Sequence, residues 1–256
     1  MLLAFDVGNT NITLGLYRQE ALLHIWRLQT VHQRTSDEYG LMVRQFLEQS
    51  GHGLDAITGV IVASVVPALT RTMSELVERS LGKRAMVVGP GIKTGMPILY
   101  DPPKDVGADR IVNAVAAYKR HGTACIIVDF GTATTFDSVT ERGEYAGGAI
   151  CPGIGISMEA LFLRAAKLPK VDVSKPRSVV GRNTVESMQA GIYYGYVGLV
   201  DGLVRRMKQE MRVEPVRVIA TGGLASLVAT DSETIETVDD ALTLEGLRLI
   251  HQMNLS

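Results

Sequence analysis

Two cysteines, one tryptophan and no surplus of either charge define this chain first by what it excludes. Cys125 and Cys151 are the whole thiol complement of 256 residues and form no C-x-x-C pair, so neither a zinc site nor a disulfide framework is expected. Both fall in apolar segments that read as strands, which predicts two reduced, buried thiols. The 26 Lys and Arg nearly cancel the 27 Asp and Glu, giving a net charge of -1. That leaves no basic face of the kind that nucleic acid or an anionic membrane requires, and neither is expected as a partner. The longest charge-free run, residues 56–70, contains Pro67 and falls short of the roughly 20 residues that span a bilayer. The apolar start at Met1 to Phe5 has no preceding basic residue and is interrupted by Asp6, so no signal peptide is expected. A cytoplasmic chain is the expectation. Two nucleotide fingerprints are also missing: there is no GxxxxGK[ST] loop and no GxGxxG after the first strand.

What is present is a hydrophobic content of 46%, enough for a well-buried core and against disorder. Residues 2–5 and 11–17 read as strands joined at Gly8-Asn9-Thr10, and residues 22–28 continue the meander. Ser36-Asp37-Glu38 opens an amphipathic helix to Gln49, with Leu41, Phe46 and Leu47 expected on its inner face. Residues 57–63 are β-branched and charge-free, a buried strand, and Pro67 suits the first turn of a helix reaching Leu81. Residues 90–107, with four prolines and three glycines, form a long loop of the kind that carries function. A helix follows from Ala108 to about Tyr118. Residues 184–211 form the longest helical stretch, interrupted by Gly191, Gly195, Gly198 and Gly202. Each glycine costs a helix interior about 1 kcal/mol against Ala, so these have a reason: close packing within the fold, or against a second subunit.

The second half echoes the first. Cys125-Ile126-Ile127-Val128-Asp129-Phe130-Gly131-Thr132 matches Leu2-Leu3-Ala4-Phe5-Asp6-Val7-Gly8-Asn9 in pattern, an apolar strand ending in Asp-x-Gly. A second strand follows each, then a third, around residues 145–151 in the second copy. The strand ending at Ala63-Ser64 has its counterpart at residues 216–221, each running straight into a helix. Two similar α/β halves are the implied architecture, divided at 1–116 and 117–256.

One Asp-x-Gly-Asn turn is compatible with an ordinary hairpin. It also suits a phosphate: Gly8 allows a tight reversal that aims backbone N–H groups at an anion, and Asp6 can hold Mg²⁺ directly or through water. A second such turn at Asp129 to Thr135 makes a clamp for a metal and a triphosphate. Thr221-Gly222-Gly223-Leu224 adds a turn that a flat base or ribose could approach. Gly107-Ala108-Asp109-Arg110 starts a helix, where N–H groups and Arg110 favour an anionic ligand and Asp109 could take a hydroxyl proton. Asp at a helix start is also common for capping alone.

The order of these elements resembles the acetate and sugar kinase, Hsp70 and actin superfamily. The combination of Asp6-Val7-Gly8-Asn9-Thr10-Asn11, Ser64-Val65-Val66-Pro67, Val106 to Arg110, Asp129 to Thr135, Gly147-Gly148-Ala149-Ile150 with Pro152-Gly153, Asn183 to Met188 and Ala220 to Ala225 resembles the type III pantothenate kinases over nearly the whole chain. The resemblance implies two actin-like (ribonuclease H-like) domains with an interdomain ATP cleft. It implies ATP-dependent phosphorylation of pantothenate to 4′-phosphopantothenate, the first step towards coenzyme A. By position, Asp6, Val7, Gly8, Asn9, Thr10, Asn11, Ile12 and Thr13 would bind ATP phosphates and Mg²⁺, joined by Thr132. Asp109 would be the general base; Tyr100, Gly107, Ala108, Asp109, Arg110 and Thr184 would contact pantothenate. Asp129 would bind a monovalent cation, K⁺ or NH₄⁺, and the family is homodimeric. One departure is Tyr100-Asp101-Pro102-Pro103, where many relatives carry Asn-Pro after the tyrosine; the second proline stiffens this loop. Two alternatives remain at this point, a non-catalytic regulatory relative and a superfamily kinase for another small hydroxy or carboxylate substrate. The intact Asp6, Asp109 and Asp129 weigh against the first, the Val-Gly-Ala-Asp-Arg motif against the second.

Overall fold

The computed structural model describes residues 1–255 and divides into two compact units. The first comprises Met1–Met96, Asp101–Ala116 and the residues from Leu242 on; the second comprises Pro97–Tyr100 and Ala117–Ala241.

In the first unit, β1 (Leu2–Val7), β2 (Asn11–Arg18) and β3 (Ala21–Gln29) form an antiparallel meander. β4 (Gly59–Ser64) then pairs parallel to β1, and the short β5 (Met86–Val87) parallel to β4, giving the order β3-β2-β1-β4-β5. β1 and β4 are apolar and buried along nearly their whole length, as strands covered on both faces must be. Helix α1 (Ser36–Gln49) starts at a capping box: Thr35 Oγ1 accepts from Glu38 N at 3.3 Å, and Thr35 N donates to Glu38 Oε2 at 2.7 Å. Its buried face is Tyr39, Gly40, Val43 and Leu47. Leu41, expected inside, is 58% exposed, because two residues carry it about 200° round the helix from Tyr39. Helix α2 (Pro67–Leu81) begins on Pro67 and ends on Gly82 at φ 63, the left-handed stop that glycine permits.

The second unit repeats this plan. β6 (Ala124–Phe130), β7 (Ala133–Val139) and β8 (Tyr145–Pro152) form the meander, while β9 (Val216–Gly222) and the two-residue β10 (Thr237–Val238) add in parallel, in the order β10-β9-β6-β7-β8. Read from β8 the order is that of the first sheet. Helix α3 (Ala108–His121) contains the division between the units, after Ala116. Helix α5 (Thr184–Met211) has the bounds that its sequence predicts, capped where the Asn183 side chain accepts from Glu186 N at 2.9 Å. Helix α4 (Ile154–Arg164) has no amphipathic signature, since Ile156, Leu161, Phe162 and Leu163 are all more than a third exposed. Helix α6 (Ala225–Ala229) is a single short turn after β9. Cys125 is buried in β6, and its thiol is pushed up to about 12, chiefly by burial. Cys151, expected buried as well, is only half-buried in β8.

The C-terminal helix α7 (Leu242–Met253) belongs to the first unit, not to the half 117–256 in which a simple division of the sequence puts it. Leu242, Leu244, Leu247 and Ile250 are buried there, and burying each contributes about 1.5–3 kcal/mol. Gly15 of β2 makes room for Leu244: a Cβ at position 15 would lie 3.0 Å from a Leu244 methyl. Thr243 Oγ1 donates to the buried Asn113 Oδ1 at 2.7 Å, tying α7 to α3. Gly246 crosses α3 so closely that a Cβ there would stand 2.1 Å from Val112 O. Gly246→Ala is therefore expected to destabilise the protein by about 2 kcal/mol, lowering the midpoint of a thermal melt by roughly 4–8 °C. An unchanged midpoint would show that α7 does not depend on this crossing.

Candidate functional site

In the first unit the two motifs with chemical promise lie at the same end of the sheet. β1 ends at Val7, and Gly8 N donates to Asn11 O at 3.0 Å to close the hairpin into β2. Thr30, a buried residue just after β3, fixes the loop from behind. Its Oγ1 donates to Gly8 O at 2.7 Å and its N to Thr10 O at 2.9 Å. Because a trans peptide sets C=O and N–H on opposite sides, the Asn9 N–H points away from Thr30. Asn9, Thr10 and Asn11 form an exposed tip, Asp6 and Gly8 are half-buried, and Val7 and Ile12 are in the core. Thr13 pairs directly across from Asp6. Thr30 is a supporting residue that sequence reasoning missed. Its partners are some 20 positions away, and no local pattern marks it.

Val65 links this hairpin to the start of α3. Its N donates to Val7 O at 3.1 Å, and its Cγ1 lies 3.6 Å from where a Cβ on Gly107 would be. The same Cβ would come within 2.6 Å of Asp109 Oδ1, so residue 107 must be glycine for this carboxyl group to fold back. Asp109 Oδ1 accepts from Arg110 N at 2.8 Å, while Ala108 is half-buried and Arg110 is buried at 7% exposure. The structure thus brings Asp6, the Gly8 hairpin and Gly107 to Arg110 together at the carboxyl ends of β1 and β4, where open α/β sheets bind ligands.

The second unit builds its own version at the ends of β6 and β9. The hairpin is one residue shorter, with Gly131 N donating to Ala133 O at 3.0 Å. Gly153 packs on it: its N donates to Thr132 O at 3.1 Å, and a Cβ would stand 2.2 Å from that oxygen. Thr132 itself is exposed. Asp129 pairs across from Thr221, and Gly222 at φ 92 sits against the Asp129 side chain, where a Cβ would meet Oδ1 at 2.6 Å. Nothing lies within 4 Å of a Cβ on Gly223. The two glycines, equivalent in the sequence reading, therefore differ. Gly222 makes room for protein and Gly223 opens on space.

Tyr100 lies on residues 97–100, which run beside β8 through the bridge between Ile98 and Tyr145. Thr184, the first residue of α5, lines a cleft of about 440 Å³ with Leu161, Leu168, Ser187, Met188, Gly191 and Ile192. Among the described residues no three His, Cys, Asp or Glu side chains cluster to hold a metal ion, and no helix is long and apolar enough to cross a membrane.

A family model described as type III pantothenate kinase matches residues 2–206. The chain belongs to the type III pantothenate kinase family. The type III pantothenate kinase of Geobacter sulfurreducens is 61% identical over 254 residues, covering 99% of both chains. Two solved structures share the fold. A candidate 2-dehydro-3-deoxygalactonokinase from Sinorhizobium meliloti superposes with a TM-score of 0.64 at 13% identity, over 99% of this chain and 96% of that one. The inorganic polyphosphate/ATP-glucomannokinase of an Arthrobacter species gives 0.50 at 13% identity, over 99% and 98%. At such identities these establish the fold alone, which is the two-sheet α/β fold of the actin-like kinases.

Within that family the contrast between the neighbouring glycines is testable. Gly222→Ala should displace Asp129 and lower turnover by on the order of a hundredfold. Gly223→Ala should raise the KM for ATP while leaving kcat within about twofold. Steady-state kinetics on the two variants decides it, and equal effects would refute the division of labour.

Proposed function

We propose that this chain transfers the γ-phosphoryl group of ATP to pantothenate, giving 4′-phosphopantothenate at the entry to coenzyme A biosynthesis. The observation that carries this reading is membership of the type III family over 99% of the chain, with the Asp6 hairpin and the Gly107 to Arg110 helix start intact. A regulatory relative would have no use for the close packing of Gly107 that accommodates Asp109.

Each residue then has a task. Asp109 takes the proton of the pantothenate hydroxyl as that oxygen attacks the γ-phosphorus, and the bond to ADP breaks on the opposite side. Asp6 to Thr13, joined by Thr132, bind the phosphates, where fixed backbone N–H groups oppose the charge that develops during transfer. A single carboxyl group at Asp6, without an all-protein cage, fits Mg²⁺, which binds through one or two carboxylates together with phosphate oxygens. When bound, that ion neutralises phosphate charge. Tyr100, Gly107, Ala108, Arg110 and Thr184 hold pantothenate, with Arg110 and the α3 N-terminus favouring its carboxylate. Asp129 takes the monovalent cation, K⁺ or NH₄⁺. The enzyme acts in the cytoplasm, and 1–116 and 117–256 are its two actin-like halves, apart from the returning α7 and from residues 97–100, which group with the second half.

Asp109→Asn is expected to nearly abolish ADP release while leaving ATP binding measurable by calorimetry. In the same coupled assay, wild-type turnover should require both pantothenate and K⁺, and fall when Na⁺ replaces K⁺. Pantothenate-independent ADP release would overturn the substrate assignment, and wild-type turnover in Asp109→Asn would overturn the base.

The enzyme acts as a homodimer through α5. Nothing lies within 4 Å of a Cβ at Gly191, Gly195 or Gly198, so packing inside the chain does not explain these glycines. Leu161, Phe162, Leu163 and Val185, on α4 and the start of α5, are exposed apolar residues. A second copy laid against α5 would use the glycines for close approach and cover these residues. Gly195→Leu should shift the protein from dimer to monomer in sedimentation velocity, and a stable dimer would exclude this face.

A further inference from the structure

Residues 97–100 form a strap along the outer edge of β8, and its attachment is more elaborate than a loop requires. The backbone alone fixes it: Tyr145 N donates to Pro97 O at 2.9 Å, and Leu99 N donates to Tyr145 O at 2.8 Å. Yet the Tyr145 side chain is also held. It is fully buried, and its hydroxyl donates to Asp137 Oδ1 at 2.7 Å. Asp137, with no exposed surface, accepts at its other oxygen from Thr135 Oγ1 at 3.1 Å. Burying a carboxyl group is costly, and the Tyr145 hydroxyl is one of the donors that offset the cost. What the polar group adds is one fixed ring orientation.

That ring is what Tyr100 rests on. The two ring centroids are 6.4 Å apart at 59°, an aromatic contact with directional preference. The Tyr100 ring also approaches Gly147: a Cβ there would lie 3.4 Å from Tyr100 Cδ2, and the φ of 105 disfavours any side chain. Ser138 Oγ donates to Gly147 O at 2.9 Å and holds that glycine in place. Tyr100, itself half-buried, is therefore set by Tyr145 and by the bare backbone of Gly147.

We propose that Tyr145 and Asp137 are positioning residues that hold the Tyr100 ring in register for contact with pantothenate. The inference rests on the reading of Tyr100 as a pantothenate contact. It assigns Asp137 no contact with substrate; the carboxyl group acts through Tyr145, and Tyr145 through Tyr100.

The test is a kinetic cycle on the whole enzyme. Tyr145→Phe should raise the KM for pantothenate roughly tenfold, with kcat and the KM for ATP within about twofold. Asp137→Asn, which keeps an acceptor for the Tyr145 hydroxyl, should lose less than Asp137→Ala. Should the Asp137 variants fail to fold, Tyr145→Phe carries the test, since it leaves the ring and both backbone bonds. In a Tyr100→Ala background, Tyr145→Phe should add nothing to the KM for pantothenate. A lowered thermal midpoint with unchanged KM in Tyr145→Phe, or a full additional effect in the double variant, would overturn the positioning role alone. An unchanged pantothenate KM in Tyr100→Ala would overturn the reading of Tyr100, and the inference with it.

Discussion

The parallel pairing of β1 with β4, and of β6 with β9, sets what meets what in each unit. Parallel strands in register bring their carboxyl ends to one edge, so Val7 arrives opposite Ser64 and Asp129 opposite Thr221. Because each central strand also pairs antiparallel with its hairpin partner, the chain must reverse at that same edge. Asp-x-Gly therefore stands where one strand ends, a tight turn begins and a second parallel strand delivers its own terminus. A one-residue slip in either pairing would send Asp6 or Asp129 to the opposite face of its sheet. The long apolar runs of β1 and β6, buried on both faces, are what make such a slip costly.

The two copies use this common plan differently. In the first, the hairpin has three residues between its strands and is braced from behind by Thr30, which occupies the carbonyls of Gly8 and Thr10. In the second it has one residue fewer and is braced from the side by Gly153, at a distance no side chain would allow. Both turns are exposed at their tips, the first across Asn9 and Thr10 and the second across Gly131 and Thr132. The difference in length and bracing agrees with the unequal tasks proposed for them, a wrapped run of contacts from Asp6 to Thr13 against a single contact from Thr132.

Much of this was legible in the sequence. The strand-turn-strand repeat, the bounds of α5 and the start of α2 at Pro67 all follow from local signals, because apolar runs, N-caps and prolines act over a few residues. What stayed hidden depends on partners far along the chain. Thr30, the packing of Gly246 on Val112 and the return of α7 to the first sheet leave no local trace. Leu41 looks like a core residue by hydrophobicity alone but stands two 100° steps from Tyr39, and α4 carries no periodic signal because its apolar residues surround the helix. The Tyr145–Asp137 pair gave no signal, since an aspartate within a strand reads as a solvent-facing residue until its burial is seen.

The glycines show how far a motif can be pushed before geometry is needed. Sequence logic treats Gly222 and Gly223 as one flexible turn made for a ligand, and Gly147 and Gly148 as one stretch of a family-like motif. Space separates the members of each. Gly222 is filled by the Asp129 carboxyl group and Gly148 by the carbonyl of Phe136, where a Cβ would stand 1.7 Å away. Gly223 meets nothing, and Gly147 meets only the Tyr100 ring. One glycine of each pair therefore lets the protein close on itself, and the other keeps a surface bare. At the turn after β9 that bare surface lies open; on β8 the Tyr100 ring already occupies it.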